Sequence, residues 1–403
     1  MRAAGIIAEY NPFHAGHAWH IARTRAQGAT HIVAVMSGYA VQRGEFAIMS
    51  KQARARAALG NGVDLVLCLP APWSCARAQD FARAGVHLLS ALGCVELLSF
   101  GSECGNLSLL QRAAAGLRER GVENSLHERV GQGSAFAPAR QAALAAVDPE
   151  AAMLLRSPND TLGVEYLQAI EVLHTQLTPL AVPRRGSGHD ELGGESSSSA
   201  HELRITFKNQ GESTSHNIQT EKISIEQCPA LPIFAEEAAQ GRAPIDMRRM
   251  ETAWLARLRC MPIEELARLP DISEGMEHRL HRAIRQGTSL AEILALAGNR
   301  RVPTARLRRI LFYALLCVTI EDVATLPRFI QVIGHSAAGR ELLRRAKTTA
   351  SLPITTRTTD IESLDAQAKQ AFATECRAAD LMALAMPLPL PCGVEERRQV
   401  IVI

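Results

Sequence analysis

The chain has 403 residues, 47% of them hydrophobic and 21% charged, which excludes a disordered or fibrous protein and leaves room for roughly two or three domains. Its formal net charge of +3 is too small to announce nucleic acid by itself, so any RNA contact must rest on local clusters. No stretch approaches the roughly 20 apolar residues that span a bilayer, and the first residues lead into a strand rather than a signal peptide, so a cytoplasmic protein with no membrane contact is expected.

In chain order, residues 5–8 form a short apolar run that reads as a buried parallel strand. A polar turn (residues 9–13) follows, then a helix opening at His14 and running past Arg25. Residues 31–36 read as a second strand ending in a Gly-bearing loop over 37–47, and Ser50 as the cap of a helix over 51–59. A third strand over 63–69 stops at Pro70 and Pro72, a long helix covers 74–92, and a fourth strand covers 95–100. Residues 107–146 read as helical with a break at 131–134, residues 157–163 as a loop feeding a helix over 164–173, and residues 179–183 as a fifth strand. Repeated strand–helix units imply an α/β, Rossmann-like parallel sheet with ligands at the carboxyl ends of its strands. Composition turns polar over 191–228, with a serine run at 196–199, as in a mobile insertion or linker. From 229 the chain reads as a mostly α-helical C-terminal domain to about 386, ending in the apolar 400–403. The expected division is therefore 1–190, 191–228 and 229–403.

Nine cysteines (Cys68, Cys75, Cys94, Cys104, Cys228, Cys260, Cys317, Cys376, Cys392) contain no C-x-x-C pair, against a zinc ribbon or a disulfide framework and for buried thiols in a reducing compartment.

The chemistry concentrates after the first strand. His14-Ala15-Gly16-His17 at a helix start offers free N–H groups and a partial positive charge to phosphate. Gly16 admits close backbone approach, and two imidazoles three residues apart share one face. The same pair read alone would cap a helix or bind a metal. The 37–47 loop carries Ser37, Gly38, Gln42, Arg43 and Glu45 toward the same crevice or into solvent, and Lys51 and Arg54, one turn apart, reach phosphate or form a solvated basic face. Asn159 can read an adenine edge, a ribose or cap the next helix. Arg300, Arg301, Arg306, Arg308 and Arg309 form a concentrated basic patch suited to a phosphodiester backbone, with few acids nearby.

The (His/Thr)-x-Gly-His string after the first strand resembles the nucleotidyltransferase superfamily of adenylyl-transferring enzymes, and the longer EYNPFHAGH resembles the tRNA(Met) cytidine acetate ligase family. The loop matches that family's MSGxxVQRGExA signature, Phe100-Gly101-Ser102-Glu103 its FGSE, and residues 157–166 its PNDxLGxEY. The resemblance implies a nucleotidyltransferase-like domain over 1–190 and a tRNA-binding helical domain beyond 229. It implies ATP contacts at Ile7, Ala8, Glu9, Tyr10, Asn11, Pro12, Phe13, His14, Ala15, Gly16, His17, Ala18, Trp19, His20, Gly101, Asn159 and Arg184 (or Arg185), with His14 and His17 catalytic. Ser199 and Arg204 resemble a second phosphate motif in which His201 replaces the usual threonine. The implied reaction joins acetate to ATP as acetyl-adenylate, with Mg²⁺ alongside, then acetylates the wobble cytidine of elongator tRNA(Met). Two other readings share parts of the pattern: an adenylyl transferase acting on a small metabolite, and a non-catalytic RNA-binding protein on the same fold.

Overall fold

The computed structural model describes residues 1–184, 200–210, 223–273 and 275–403. Strands β1 (Ala3–Ala8), β2 (His31–Ser37), β3 (Ala40–Val41), β4 (Glu45–Phe46), β5 (Leu65–Leu69), β6 (Leu97–Ser102), β7 (Thr178–Pro183), β8 (Ile330–His335), β9 (Ile354–Thr355) and β10 (Ile401–Val402) punctuate the helices. The main sheet runs β10-β8-β5-β2-β1-β6-β7, with β9 beside β8, while β3 and β4 form a separate hairpin. Neighbours are parallel except β5 and β8, and β1 lies in the middle, as a phosphate-binding strand of a doubly wound sheet does.

Alternation along each central strand divides the core. Ile7, Val33, Val35, Leu65 and Leu67 join a cluster under the Ala78–Ala91 and Pro158–Val172 helices. Ala4, Ile6, Ile32, Ala34, Met36 and Val66 join the opposite one under the Ala15–Ala26 and Lys51–Gly60 helices. A third cluster gathers the Glu251–Cys260, Met276–Gln286, Thr304–Leu316 and Ala366–Leu384 helices and takes in Tyr39, Ala40 and Phe46 of the hairpin.

The α/β, Rossmann-like class is borne out, as is a helical C-terminal region. That region also supplies β8 and β10 to the main sheet, because residues 330–333 are apolar or buried enough to sit against β5. Two helix starts differ from expectation for one reason. Pro72 and Pro158 stand in the first turns of helices, at Ala71–Ser74 and Pro158–Val172, rather than ending what precedes them, since a proline costs nothing where the N–H is free. A separate helix then runs over Ala78–Ala91. Residues Ala200–Gln210 are helical within the polar tract, because Leu203 and Phe207, one turn apart, bury together and Phe207 stacks on Phe234 at 3.9 Å. All nine cysteines are free; Cys104, Cys260, Cys317 and Cys392 are exposed rather than buried. No helix among the described residues is long and apolar enough to cross a membrane.

The two halves lock through a buried charge network. Lys51 Nζ lies 3.0 Å from both Glu375 Oε1 and Glu395 Oε2, with all three side chains at most 1% exposed. Burial opposes the ammonium, but Cys68, Glu375 and Glu395 outweigh it and hold Lys51 above the usual lysine value. Glu375 also accepts from Tyr39 N and Ala71 N, and Glu395 from Tyr39 Oη, Gln331 and Arg398. A methyl on Gly38 would overlap the Glu375 carboxylate. Lys51→Met leaves two carboxylates without their shared cation, so it should lower stability by about 3–5 kcal/mol; an unchanged denaturant midpoint would contradict this.

Candidate active site

The crevice lies at the carboxyl ends of β1, β2, β6 and β7. After β1, Tyr10 adopts φ 47° and the chain turns so that His14 caps the Ala15–Ala26 helix. Gly16 N donates to His14 Nδ1 at 3.0 Å, and His14 N to His17 Nδ1 at 3.2 Å. Both rings therefore accept at Nδ1 and carry their proton on Nε2. They stack at 3.9 Å. A methyl on Gly16 would fall 2.8 Å from His14 Cε1, so glycine leaves the space the ring needs. Burial, then Arg184 and Arg204, bring His14 down to about 4; burial, then His14 and His20, hold His17 well below the usual imidazole value. The pair is neutral at physiological pH and presents N–H donors, the form suited to phosphate oxygens.

The other residues of the segment support these two. Tyr10 and Phe13 pack on the His17 ring at 4.9 and 5.4 Å. Ile7 is core, and Ala15 N donates to Gln227 O at 2.9 Å. His20 Nε2 sits 2.8 Å from Ser99 Oγ, which also meets Thr24 Oγ1 at 2.7 Å. That ring anchors the helix to β6 rather than offering Nε2 to a ligand. Trp19 Nε1 reaches Pro183 O at 3.5 Å, at the end of β7.

Arg204 approaches from the Ala200–Gln210 helix, donating from Nη1 to Asn11 O at 2.8 Å. Tyr10 Oη, Asn11 Nδ2, Ser37 Oγ and Arg204 Nη2 are buried with no hydrogen-bond partner among the described residues. Buried polar groups are normally paired, so these four atoms, at the ends of β1 and β2 and on the Ala200–Gln210 helix, have hydrogen-bonding capacity left over. Ser199 and Arg185 lie outside the described residues.

On the β6–β7 side, a methyl on Gly101 would meet Arg184 Cγ at an ordinary 3.7 Å, so the floor there is open. Arg184 N donates to Ser102 O at 3.0 Å, placing Arg184 at the crevice edge, within the field of all three histidines. Glu103 accepts from the Asn159 side chain and from Asp160 N at 2.9 Å. Asp160 accepts from Ser102 Oγ at 2.5 Å and Glu103 N at 2.9 Å. The two sequence motifs are thus one interlocked unit, and Asp160, fully buried, was not singled out from sequence.

On the β2 side, Gln42 N donates to Glu9 Oε1 at 2.9 Å. Arg43 is exposed, and Glu45 faces Lys208 at 3.8 Å. Lys51 and Arg54 do not reach toward phosphate. Lys51 belongs to the buried network, and Arg54 donates to the carbonyls of Glu9 at 2.7 Å, Ser37 at 2.9 Å, Met49 at 3.3 Å and Gly38. Burial lowers Arg54 to about 10, leaving it cationic while it ties the ends of β1 and β2 together.

The hairpin connects the crevice to the arginine patch. A methyl on Gly44, at φ +73°, would meet Arg309 N at 2.8 Å, and Phe46 packs on Phe312 at 5.1 Å. Of the patch, Arg300, Arg301 and Arg308 are exposed. Arg309 pairs with Asp271 at 3.0 Å and Arg306 donates to Asp271 O at 2.7 Å, so an acid does lie nearby, brought in from 38 positions upstream of Arg309.

A family model described as HIGH nucleotidyl transferase matches residues 1–392. The chain is 35% identical to the tRNA(Met) cytidine acetate ligase of Syntrophomonas wolfei, covering 96% of each chain, and 32% identical to that of Caldanaerobacter subterraneus, covering 90% of each. Its structure resembles the crystal structure of Thermotoga maritima TmcAL bound with alpha-thio ATP, with a TM-score of 0.88 and 28% identity over the whole of both chains.

Buried neutral histidines make stability depend on acid. His14 and His20 titrate near 4 in the folded protein and near 6.5 when unfolded. Between those values the unfolded chain binds more protons, so stability is complete above about pH 6.5 and falls toward pH 4. Melting temperature measured from pH 7.5 to 4.5 without nucleotide should drop across that window, less steeply for His20→Gln; a flat profile above pH 5 would contradict the assignment.

Proposed function

This chain belongs to the HIGH nucleotidyl transferases and, within them, to the tRNA(Met) cytidine acetate ligase family, and from that membership we propose how its residues serve an ATP-dependent ligase that acetylates a tRNA cytidine. The carrying observation is an intact His14-Ala15-Gly16-His17 cap within a likeness that spans nearly the whole of the relatives. That span disfavours both a small-metabolite adenylyl transferase and a binding protein that has lost its chemistry.

In our reading the nucleotide occupies the β6–β7 half of the crevice. Backbone of the 7–20 segment and of Gly101 lies along it, Arg184 closes its edge, and Asn159 is held there by Glu103. The Nε2–H groups of His14 and His17 and the Nη2 of Arg204 donate to phosphate oxygens; Ser199 is a further candidate. Acetate oxygen attacks the α-phosphorus, the bond to the β-phosphate oxygen breaks, and pyrophosphate leaves with the electron pair. The donors bind growing negative charge on the leaving group, and positioning supplies most of the rate. The cytidine amine then attacks the acetyl carbonyl, the bond to the adenylate oxygen breaks, and AMP leaves.

Mg²⁺ is expected to enter with the triphosphate. No group of three His, Cys, Asp or Glu among the described residues is arranged to hold a metal, and magnesium commonly rides on substrate phosphates. Elongator tRNA(Met) would lie along Arg300, Arg301 and Arg308, with Arg306 and Arg309 fixing the helix through Asp271 and the 37–46 loop guiding the cytidine. We take the reaction to run in the cytoplasm, where its tRNA substrate and ATP meet.

Purified protein given ATP, Mg²⁺, labelled acetate and bulk bacterial tRNA should place label on a cytidine of one tRNA species; absence of label in RNA contradicts the reading. His17→Ala should stop acetate-dependent pyrophosphate release at least 100-fold without a change in the folded circular-dichroism spectrum. Arg300→Glu, Arg301→Glu and Arg308→Glu together should weaken tRNA binding and flatten its salt dependence while leaving ATP affinity unchanged; equal tRNA affinity would remove the patch from the interface.

A further inference from the structure

The crevice is rich in donors. His14 and His17 present N–H groups, and Arg184 and Arg204 present guanidinium groups. These suit phosphate and acetate, which are anions. The second substrate of the proposed reaction is an amine, and an amine needs an acceptor.

The crevice carboxylates are mostly committed. Glu103 and Asp160 secure the start of the Pro158–Val172 helix, and Glu45 faces Lys208. Glu9 differs. It follows the last residue of β1, its Oε1 accepts from Gln42 N at 2.9 Å, and its Oε2 has no hydrogen-bond partner among the described residues. The contact ties the side chain to the loop that leads into the hairpin's second strand. That same hairpin packs through Gly44 on the helix carrying Arg308 and Arg309, so the hairpin joins Glu9 to the surface where RNA would arrive.

We propose that Glu9 receives the exocyclic amine of the cytidine: Oε2 accepts a hydrogen bond from N4 and then takes the proton that N4 loses as the acetyl amide forms. The inference rests on the ligase reading above. The step balances: the N4 lone pair forms the bond to the acetyl carbon, the carbon–oxygen bond to the adenylate breaks with its electrons going to AMP, and one N4 proton passes to the carboxylate. A carboxylate accepting from cytosine N4 is also a natural pairing for that base.

The electrostatics agree. Burial raises Glu9 above the ordinary carboxylate range, opposed by the Gln42 N–H and by Arg204, Arg43 and Arg54. The Tyr166 phenol, from the Pro158–Val172 helix, is pushed up by burial and then by Glu9 and stays neutral. A base with a raised pKa is better matched to a proton near neutral pH.

The test separates the half-reactions. Acetate-dependent pyrophosphate release and single-turnover transfer from preformed acetyl-adenylate to tRNA are measured for wild type, Glu9→Gln and Glu9→Asp. Glu9→Gln keeps the Gln42 contact, and transfer should fall at least about 30-fold further than pyrophosphate release does. Wild-type transfer should fall as pH drops through the Glu9 titration, Glu9→Gln should lose that limb, and Glu9→Asp should retain it at a reduced rate. Wild-type transfer by Glu9→Gln, or parallel loss of both half-reactions, overturns the assignment. A wild-type protein that forms acetyl-adenylate yet acetylates no cytidine overturns the ligase reading as well, whereas equal transfer by wild type and Glu9→Gln overturns Glu9 alone.

Discussion

One buried cation sets the geometry of this molecule. Lys51 sits between Glu375 and Glu395 at 3.0 Å from each, in a place where an unpaired charge would cost several kcal/mol. The ammonium and the two carboxylates can be buried only together, so the Lys51–Gly60 helix, the Ala366–Leu384 helix and the 395–398 turn must meet. Their meeting fixes Gly38 and Tyr39 against Glu375. Arg54, three residues after Lys51, then gathers the carbonyls of Glu9, Ser37 and Gly38, holding the ends of β1 and β2 in register. The hairpin begins there, and on it depend Gln42, its hold on Glu9, and the contact with the arginine helix. The C-terminal half therefore shapes the crevice through the strand ends it holds in place.

The crevice that results is divided by chemistry. Stacked imidazoles at 3.9 Å are tolerable because both are neutral; burial keeps them so, and their backbone-bonded Nδ1 atoms aim the Nε2 protons outward. Arg204 holds one nitrogen on Asn11 O, and its Nη2 has no partner among the described residues, an arrangement that suits an anion. Donors thus collect at the start of the Ala15–Ala26 helix, where we place the phosphates, while Glu9 is tied to the hairpin that leads to the arginine helix, where we place the RNA.

Much of this was legible in the chain itself. Apolar runs after short helices gave the parallel sheet, and the His-x-Gly-His spacing after the first of them gave the cap, because both are local patterns that follow from strand and helix periodicity. Prolines misled where a single residue has two meanings: Pro72 and Pro158 open helices that punctuation alone reads as loops. The Leu203–Phe207 spacing was present but masked by polar neighbours. The Lys51 network carried no local signal, since Glu375 lies 324 positions away, and Lys51 and Arg54 look like any exposed basic pair until tertiary contacts bury them. Asp271, paired with Arg309 across 38 positions, was hidden for the same reason.

The central claim is that the donor half of this crevice activates acetate on ATP before any RNA is needed. The direct measurement is exchange of labelled pyrophosphate into ATP by purified protein, with and without acetate and in the absence of tRNA. The account predicts exchange that requires acetate and is indifferent to RNA. No exchange, or exchange that proceeds equally without acetate, would contradict it.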